Sequence, residues 1–280
     1  MRKPYPWRKA IHYLMSGLTA LSALLAVVAL LAVLSYVAMN GFTALSADFF
    51  LRLPTPVGVP GGGIANAIVG TLVVIGLATL YALPIGLGAG IYLSEFGDNP
   101  FGDLVRYLVD VLSGVPSIVM GIFAYTLIVA RQGHFSALSA GFALGTMMLP
   151  AITRTTEEIL RMVPSSLREG ALALGLPRWR TTLSVVLPAA ASGVLTGVIL
   201  AIARVAGETA PLLFTAFGNP FWSTDIRRPI ATLPHTLFTY AISPFEDWRS
   251  KAWGTAMVLT GFVLVTSFLV RRLGRQRHTL

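Results

Sequence analysis

Long apolar runs alternate with short polar segments along this chain, and each run approaches or exceeds the length of a membrane-crossing helix. About 20 predominantly apolar residues suffice for a helix to cross a hydrocarbon core about 30 Å thick. Six runs fit this description, at roughly 14–39, 64–93, 104–130, 136–153, 184–217 and 252–270. Proline and glycine interrupt several of them, which membrane helices tolerate when neighbouring helices satisfy the freed backbone groups. The pattern predicts an all-α, polytopic membrane protein with six transmembrane helices.

Composition agrees with this interpretation and limits the chemistry. Of the 280 residues, 55% are hydrophobic and 12% are charged, whereas soluble domains carry about 25% charged residues. There is no cysteine, so neither disulfides nor thiolate sites can form. The four histidines are scattered without ligand spacing, and Glu157 and Glu158 lack a catalytic partner. We therefore predict no metal, no cofactor and no catalytic site.

The placement of the cations predicts the orientation in the membrane. The net charge is +9. Basic residues flank the first and the last apolar run, namely Arg2, Lys3, Arg8 and Lys9 before the first and Arg271, Arg272, Arg275 and Arg277 after the last. With the N-terminus inside, the inner segments hold fourteen lysines and arginines and the outer loops hold six. Positive charge concentrates on cytoplasmic loops, so we expect both termini in the cytoplasm. No groove-reading element accompanies the charge, which argues against a nucleic-acid partner.

Two predicted outer loops, 40–63 and 218–251, are rich in glycine, proline, tryptophan and phenylalanine. They carry too little charge for disordered tails and lack the continuous apolar run of a span. Ordinary connecting loops fit this composition. Lids, or a surface for an external partner, fit it as well.

The inner loop at 153–183 contains the pattern of a short amphipathic helix. Pro164 is followed by Ser165 and Ser166, either of which can cap the first free N–H groups. Apolar residues then recur at near-helical spacing until Gly175 and Pro177 stop the helix. Such a helix can lie on the membrane surface or enter a groove of another protein.

The same loop carries a family signature. Glu169-Gly170-Ala171, three residues, Gly175, nine residues, Val185, one residue and Leu187-Pro188 resemble the EAA motif of ABC importer permeases, E-A-A-x3-G-x9-I-x-L-P. Gly170 replaces the first alanine and Val185 the isoleucine. The stretches LSGVPSIVMGIF (112–123), ARVAGETAPLLFTA (203–216) and IATLPHTLFTYA (230–241) resemble the phosphate-uptake permeases, in particular the PstA-type subunits. The resemblance covers about 64–270.

This resemblance implies a type I ABC importer permease fold and a bacterial cytoplasmic (inner) membrane location. It implies a pore shared with a related permease, an extracytoplasmic phosphate-binding protein and two cytoplasmic ATPases. In that family the EAA loop, here Glu169, Gly170, Ala171 and Gly175, contacts the ATPases. No lysine of this chain lies in a phosphate-binding G-x4-G-K-[ST] loop, so a partner must hydrolyse the ATP.

The division of the chain follows from the same comparison with the family. We expect 1–63 to hold the cytoplasmic N-terminus, the first span and an outer loop, 64–270 to form the permease core, and 271–280 to be a basic tail. The first run is too long for a signal-peptide core and lacks a clear cleavage site. It is therefore predicted to be a retained span.

Arg204 and Glu208 stand four residues apart in the fifth apolar run. An ionised side chain in the hydrocarbon core costs at least about 2.5 kcal/mol, so its presence points to pairing or to function. A guanidinium matches phosphate geometry and stays charged. We expect Arg204 to line the phosphate route and Glu208 to tune it from the same helix face, the alternative being a salt bridge that only locks helices.

Two other arginines are candidates with simpler explanations. Arg154, at the inner end of the fourth run, resembles a second path arginine of the family, and the alternative is a cation that reaches the membrane boundary. Arg106 and Asp110 are four residues apart, and we expect a structural ion pair there.

Several whole-protein interpretations remain open at this point. The leading one is a phosphate importer permease, and a molybdate or sulfate importer permease shares the loop signature. A membrane enzyme needs a cluster of His, Asp or Glu that this sequence does not show. A secondary transporter is predicted to show an inverted repeat, which is not evident.

Overall fold

The computed structural model describes residues 5–59 and 61–275, and their regular structure is helical. Thirteen α-helices occur in the described residues: α1 Tyr5–Gly41, α2 Ala47–Leu51, α3 Ala65–Glu95, α4 Pro100–Gly114, α5 Ser117–Ala124, α6 Ala130–Gln132, α7 Ala137–Arg161, α8 Ser165–Ala173, α9 Arg178–Thr181, α10 Leu187–Val205, α11 Ala210–Leu213, α12 Leu233–Ala241 and α13 Glu246–Arg275. Short π-helical turns join α5 to α6 and α9 to α10. The β-type backbone pairing in the described residues is an isolated bridge between Phe217 and Ile230. The predicted all-α class is confirmed.

The count of six spans is not confirmed. Four helical stretches of the described chain are long and apolar enough to cross a membrane: Tyr5–Ala44, Ala65–Glu95, Arg178–Val205 and Glu246–Phe268. The stretches Pro100–Gly114 and Ser117–Gln132 pass the same test together, with a bend of 104° between them, and give a fifth crossing if they form one span. α7 has 25 residues but is not among them. Its second half carries Arg154, Glu157, Glu158 and Arg161, which lower its mean hydropathy.

α7 lies at the centre of the bundle, where it contacts α3, α4, α5 and α10. Its largest contact is with α3. Small residues allow this approach, because a Cβ added at Gly141 would meet Leu77 Cβ at 2.7 Å and one at Gly86 would meet Ile152 Cγ2 at 2.8 Å. Without the glycines the two backbones could not lie so close. α3 and α7 therefore behave as one packed pair.

Gly90 offers a direct test of this packing. A Cβ at Gly90 would lie 2.5 Å from Thr156 Cβ and 2.8 Å from the Thr153 carbonyl oxygen, so Gly90→Ala must push the helices apart. We expect the free energy of unfolding to fall by about 1–3 kcal/mol, as for overpacked cores. Gly88→Ala on the same helix meets no atom within 4 Å and serves as the matched control. Thermal unfolding of both variants in detergent measures the difference, and equal midpoints would contradict the prediction.

The two predicted outer loops contribute to a second hydrophobic core. Phe49 of α2, Ile64, Leu233 of α12 and Tyr240 of α12 are buried together with Ala252 of α13. The two predicted outer loops are therefore not irregular connections, because each contributes a helix to this cluster. Their apolar residues, which composition alone left unexplained, pack against one another.

α1 stands apart from the rest of the bundle and packs mainly along α13. The contact is close at its outer end, where a Cβ on Gly41 would meet the Trp253 carbonyl oxygen at 2.8 Å and Tyr36 packs edge-on against Trp253. Most of its apolar side chains are exposed, as expected of a helix that faces lipid. Arg2, Lys3 and Arg277 of the predicted basic ends lie outside the described residues.

Candidate functional site

The helix that carries Arg204 ends earlier than the apolar run predicts. α10 stops at Val205, Ala206 is its cap, and a separate short helix begins at Ala210. The fifth apolar run is therefore not one continuous helix, because residues 206–209 lie outside both helices. Arg204 lies in the last turn of α10, and Glu208 follows the helix, half-buried. The expectation that the two share a helix face is wrong, and no ion pair joins them among the described residues.

A groove of about 430 Å³ runs between α7 and α10 and ends at Arg204. Its walls are made by two helix faces with a four-residue spacing, Ala151, Thr155 and Ile159 on α7 and Ser192, Thr196, Leu200 and Arg204 on α10. Gly193 and Gly197 let α10 approach α7, since a Cβ on Gly197 would meet Thr155 Cγ2 at 2.2 Å. The groove is therefore an open cleft lined by small, hydroxylated and aliphatic residues, with one cation at its end.

Arg204 differs from the arginines of the neighbouring helices in having no acidic partner. Arg106, Arg154 and Arg161 on α4 and α7 each contact a carboxylate within 4.0 Å. The exposed side chain of Arg204 makes no hydrogen bond and no ion pair with the described residues. Its five N–H donors remain available. The site can therefore receive an anion without first breaking an internal pair.

Arg154 belongs to an ion cluster that sequence reasoning did not foresee. Its guanidinium binds Asp110 of α4, with Nε 3.1 Å from Oδ1, and approaches Glu157 Oε2 at 3.6 Å. Asp110 therefore pairs with Arg154, and the predicted pair between Arg106 and Asp110 is wrong. Arg106 instead contacts Asp103 at 3.1 Å and Glu157 at 2.8 Å. These pairs fasten α4 to α7.

Glu157 is the centre of this cluster. Its side chain is 4% exposed and contacts Arg106, Arg154 and Arg161, the last at 3.1 Å. The sequence places Glu157 on a polar loop, but the structure puts it inside α7. Acidic and basic residues recur at helical spacing in TRTTEEILR, which signals an ion pair within α7. The partner on α4, 51 positions away, could not be recognised from the sequence.

The inner loop contains the predicted short helix, with different boundaries. α7 runs on to Arg161, so the first nine residues of 153–183 belong to it and not to a loop. α8 begins at Ser165 with Pro164 at the cap and no side-chain cap hydrogen bond. The predicted capping by Ser165 or Ser166 is therefore wrong, because both serines lie within the first turn. Gly175 takes a φ of +83°, the left-handed geometry that suits a glycine after a helix.

The surface of this loop is apolar and open. Ala171 is buried, whereas Glu169, Gly170 and Gly175 are exposed. A Cβ added at Gly170 would meet no atom within 4 Å, so glycine in place of the family's alanine removes no internal contact. Large side chains stand out around them, with Leu174 85% and Trp179 61% exposed. A patch of this kind marks an interaction surface.

A second cavity, of about 700 Å³, lies where the two outer loops meet. The residue ranges 53–57 and 217–221 form its walls with His235 and Tyr240, and no aspartate, glutamate, lysine or arginine of the described residues lines it. Burial lowers the pKa of His235, and burial with nearby Asp247 raises the pKa of Tyr240 to about 12. Both side chains are therefore uncharged at neutral pH. The cavity lacks the cation that a phosphate site requires.

Comparisons with known proteins show which chains this one resembles. Residues 82–278 match the family model described as binding-protein-dependent transport system inner membrane component. A phosphate transport system permease protein PstA of Yersinia pestis is 43% identical over 271 residues, covering 96% of this chain and 92% of the relative. The protein of that name in Haemophilus influenzae is 43% identical over 266 residues, covering 95% and 94%. The resemblance stated from the motifs is confirmed.

Solved structures agree at the level of the fold. A chain of the MetNI methionine ABC transporter in an inward-facing conformation superposes with a TM-score of 0.62 and 17% identity, covering 76% of this chain and 96% of that one. A chain of an amino acid ABC transporter with histidines gives a TM-score of 0.55 and 16% identity, covering 76% and 92%. The architecture is that of type I ABC importer permeases.

Proposed function

The chain belongs to the family of binding-protein-dependent transport system inner membrane components, and from this premise we propose that it imports inorganic phosphate as one permease subunit of an ATP-driven transporter. As a multi-pass membrane transport subunit it is not an enzyme. The relatives named for phosphate transport support the choice of substrate over molybdate or sulfate. We place the protein in a bacterial cytoplasmic membrane with both termini inside, as the charge distribution favours.

The unpaired guanidinium of Arg204 at the end of an open groove carries this proposal. A groove open on one side is half of a conduit, and a related permease is the partner that would close it. Guanidinium donates parallel hydrogen bonds to a phosphate oxygen pair. Because the groove walls are small hydroxylated and apolar residues, the anion meets one cation and then a passage with few strong contacts, so it can leave again.

Glu208 and Arg154 have supporting parts in this scheme. With Glu208 off the helix face, Arg204 is free to bind an anion. A rotation at Ala206 and Gly207 that brings the carboxylate to Arg204 would displace it. Arg154 lies three residues beyond Ala151 of the groove wall, and its charge is balanced by Asp110 and Glu157. We propose that it steers the anion along the route without holding it.

The inner loop is the proposed contact for the ATPases. The exposed Glu169 and Gly170 and the buried Ala171 lie on α8, the exposed Gly175 follows its end, and the large apolar side chains around them have no cover in the single chain. An amphipathic helix of this kind suits a groove on a partner protein. An extracytoplasmic phosphate-binding protein would deliver the substrate from the other side. We assign 64–270 to the permease core, 1–63 to the N-terminus, the added first helix and an outer loop, and 271–280 to a basic tail; the family match over 82–278 lies mostly within the proposed core and extends into the tail.

Reconstitution tests the function as a whole. The chain is co-expressed with its partner permease and ATPases, extracted in mild detergent and placed in vesicles that contain ATP, with the phosphate-binding protein outside. We expect co-purification of an ATPase and phosphate uptake that stops without ATP. Excess molybdate or sulfate should leave phosphate uptake unchanged. Uptake by the chain alone in ATP-free vesicles would contradict the proposal, and uptake of molybdate or sulfate in place of phosphate would correct the substrate.

A further inference from the structure

A single side chain of the inner loop reaches both long central helices. Arg168 of α8 binds Glu95 at the end of α3, with Nη2 2.7 Å from Oε1 and Nε 3.2 Å from each carboxylate oxygen. It also donates from Nη1 to the Val163 carbonyl at 2.6 Å and from Nη2 to the Leu160 carbonyl at 2.8 Å. One guanidinium thus joins the loop helix, the end of α3 and the end of α7.

The chemistry of this contact makes it stiff. The last carbonyls of a helix lack internal partners and carry negative dipole charge, so a cation there is favourable. The carboxylate of Glu95 holds the same guanidinium through both of its oxygens, which fixes orientation as well as distance. Arg168 is 23% exposed and Glu95 10%, so water competes less than at a surface pair. Arg168 therefore fixes the angle between α8 and the α3/α7 pair.

The remainder of α8 is held more loosely. Its other contacts are with α9 and with the π-helical turn Thr182–Val186, both parts of the same inner segment. Leu167, Leu172 and Leu174 point outward and are exposed. Arg168 thus makes the strongest polar contact between α8 and the central helices. A partner that moves α8 would act on those helices through this contact.

A displacement of α8 can reach the groove by this path. The close contact of Gly90 with Thr156 and of Gly86 with Ile152 couples α3 to α7. The same turns of α7 carry Ala151 and Thr155 of the groove wall. Tight packing transmits movement because packed helices shift as rigid bodies.

We propose that Arg168, through its contact with Glu95 and the end of α7, is the positioning residue that converts movement of the docked inner helix into movement of the α3/α7 pair, and so of the groove wall that α7 forms. This inference rests on the proposed function of an ATP-driven permease. It predicts that loss of the contact separates the two activities of the complex. ATP hydrolysis continues on the partner subunits while solute movement fails.

The test measures both activities on the same assembled complex in vesicles. For Arg168→Gln and for Glu95→Gln we expect ATP hydrolysis within about twofold of the original protein and phosphate uptake at least about tenfold lower. Tenfold matches the loss of one charge-assisted hydrogen bond of about 1.5 kcal/mol. Arg168→Lys keeps the charge but not the fork and should restore part of the uptake per ATP hydrolysed.

Arg131→Gln is the control, because it removes an exposed arginine of α6, outside the proposed ATPase contact, that has no ion partner among the described residues. Its ratio of uptake to hydrolysis should equal that of the original protein. A parallel loss of both activities together with lower recovery of the complex would assign Arg168 a purely structural role. An unchanged ratio at normal recovery would overturn the inference. Uptake by the unmodified complex tests the proposed function separately, and the ratio can be measured with whichever anion it imports.

Discussion

Replacement of Arg204 by alanine is expected to lower ATP-driven phosphate uptake by about 10- to 100-fold while the protein accumulates normally in the membrane. A hydrogen bond from a charged donor contributes about 1.5–3 kcal/mol, which corresponds to this range of rate or affinity. Accumulation should stay normal because the guanidinium is exposed and makes no ion pair or hydrogen bond with the described residues. Its removal leaves no buried group without a partner.

Two further variants make this result interpretable. Arg204→Lys preserves a positive charge at the end of the groove but donates from a single point, so uptake should fall less than for alanine. Arg249→Ala removes an exposed arginine at the outer end of α13, away from the groove, and should leave uptake unchanged. Initial rates of labelled phosphate uptake are compared at matched amounts of complex. Normal uptake by Arg204→Ala, or loss of the protein itself, would refute a role in the path.

Replacement of Glu157 by alanine is expected to lower the free energy of unfolding by about 3–5 kcal/mol, the usual cost of breaking a buried ion pair from one side. Three arginines and three carboxylates make up the cluster, with Asp103 and Asp110 on α4 and Glu157 on α7. Glu157 alone contacts all three cations. Without it, the positive charges of Arg106 and Arg161 are less well compensated, and α4 loses a main attachment to α7.

The neighbouring residue supplies the control for this prediction. Glu158→Ala removes the same charge one position along α7 from an exposed site with no ion pair in the described structure. Its effect should stay within about 0.5 kcal/mol, as for most surface substitutions. Membrane abundance and the midpoint of thermal unfolding in detergent are compared for the two variants. Equal stability of Glu157→Ala and Glu158→Ala would show that the cluster does not hold α4 to α7.

Local pattern was sufficient for the all-α class, for three of the long helices and for the end of the inner-loop helix. Apolar run length predicted α3 within two residues, α13 within six and α1 within nine, because a helix is the form in which a single segment satisfies its own backbone in a membrane. Gly175 and Pro177 marked the end of α8 correctly, since positive φ and a missing N–H are properties of single residues. The EAA spacing also led to the correct family.

Mean hydropathy predicted helices poorly where polar side chains find their partners inside the protein. α7 is the most central helix, yet its charged second half keeps it below the apolarity of a typical span. Those charges are compatible with burial only because Arg106 and Asp110 come from α4. Hydropathy likewise could not locate the end of α10 within the fifth apolar run, because Ala206 and Gly207 are small and apolar whether they continue a helix or end it.

The sequence by itself determined the class of the molecule, its helical segments and the residue types able to meet an anion. The tertiary structure alone decided the pairing, which leaves Arg204 without a partner among the described residues, joins Arg154 to Asp110 and brings Arg168 to Glu95 across 73 positions. The physical reason is the distance along the chain over which each kind of interaction acts. Helix formation and membrane insertion depend on neighbours within a few turns, whereas an ion pair depends on which helices pack together.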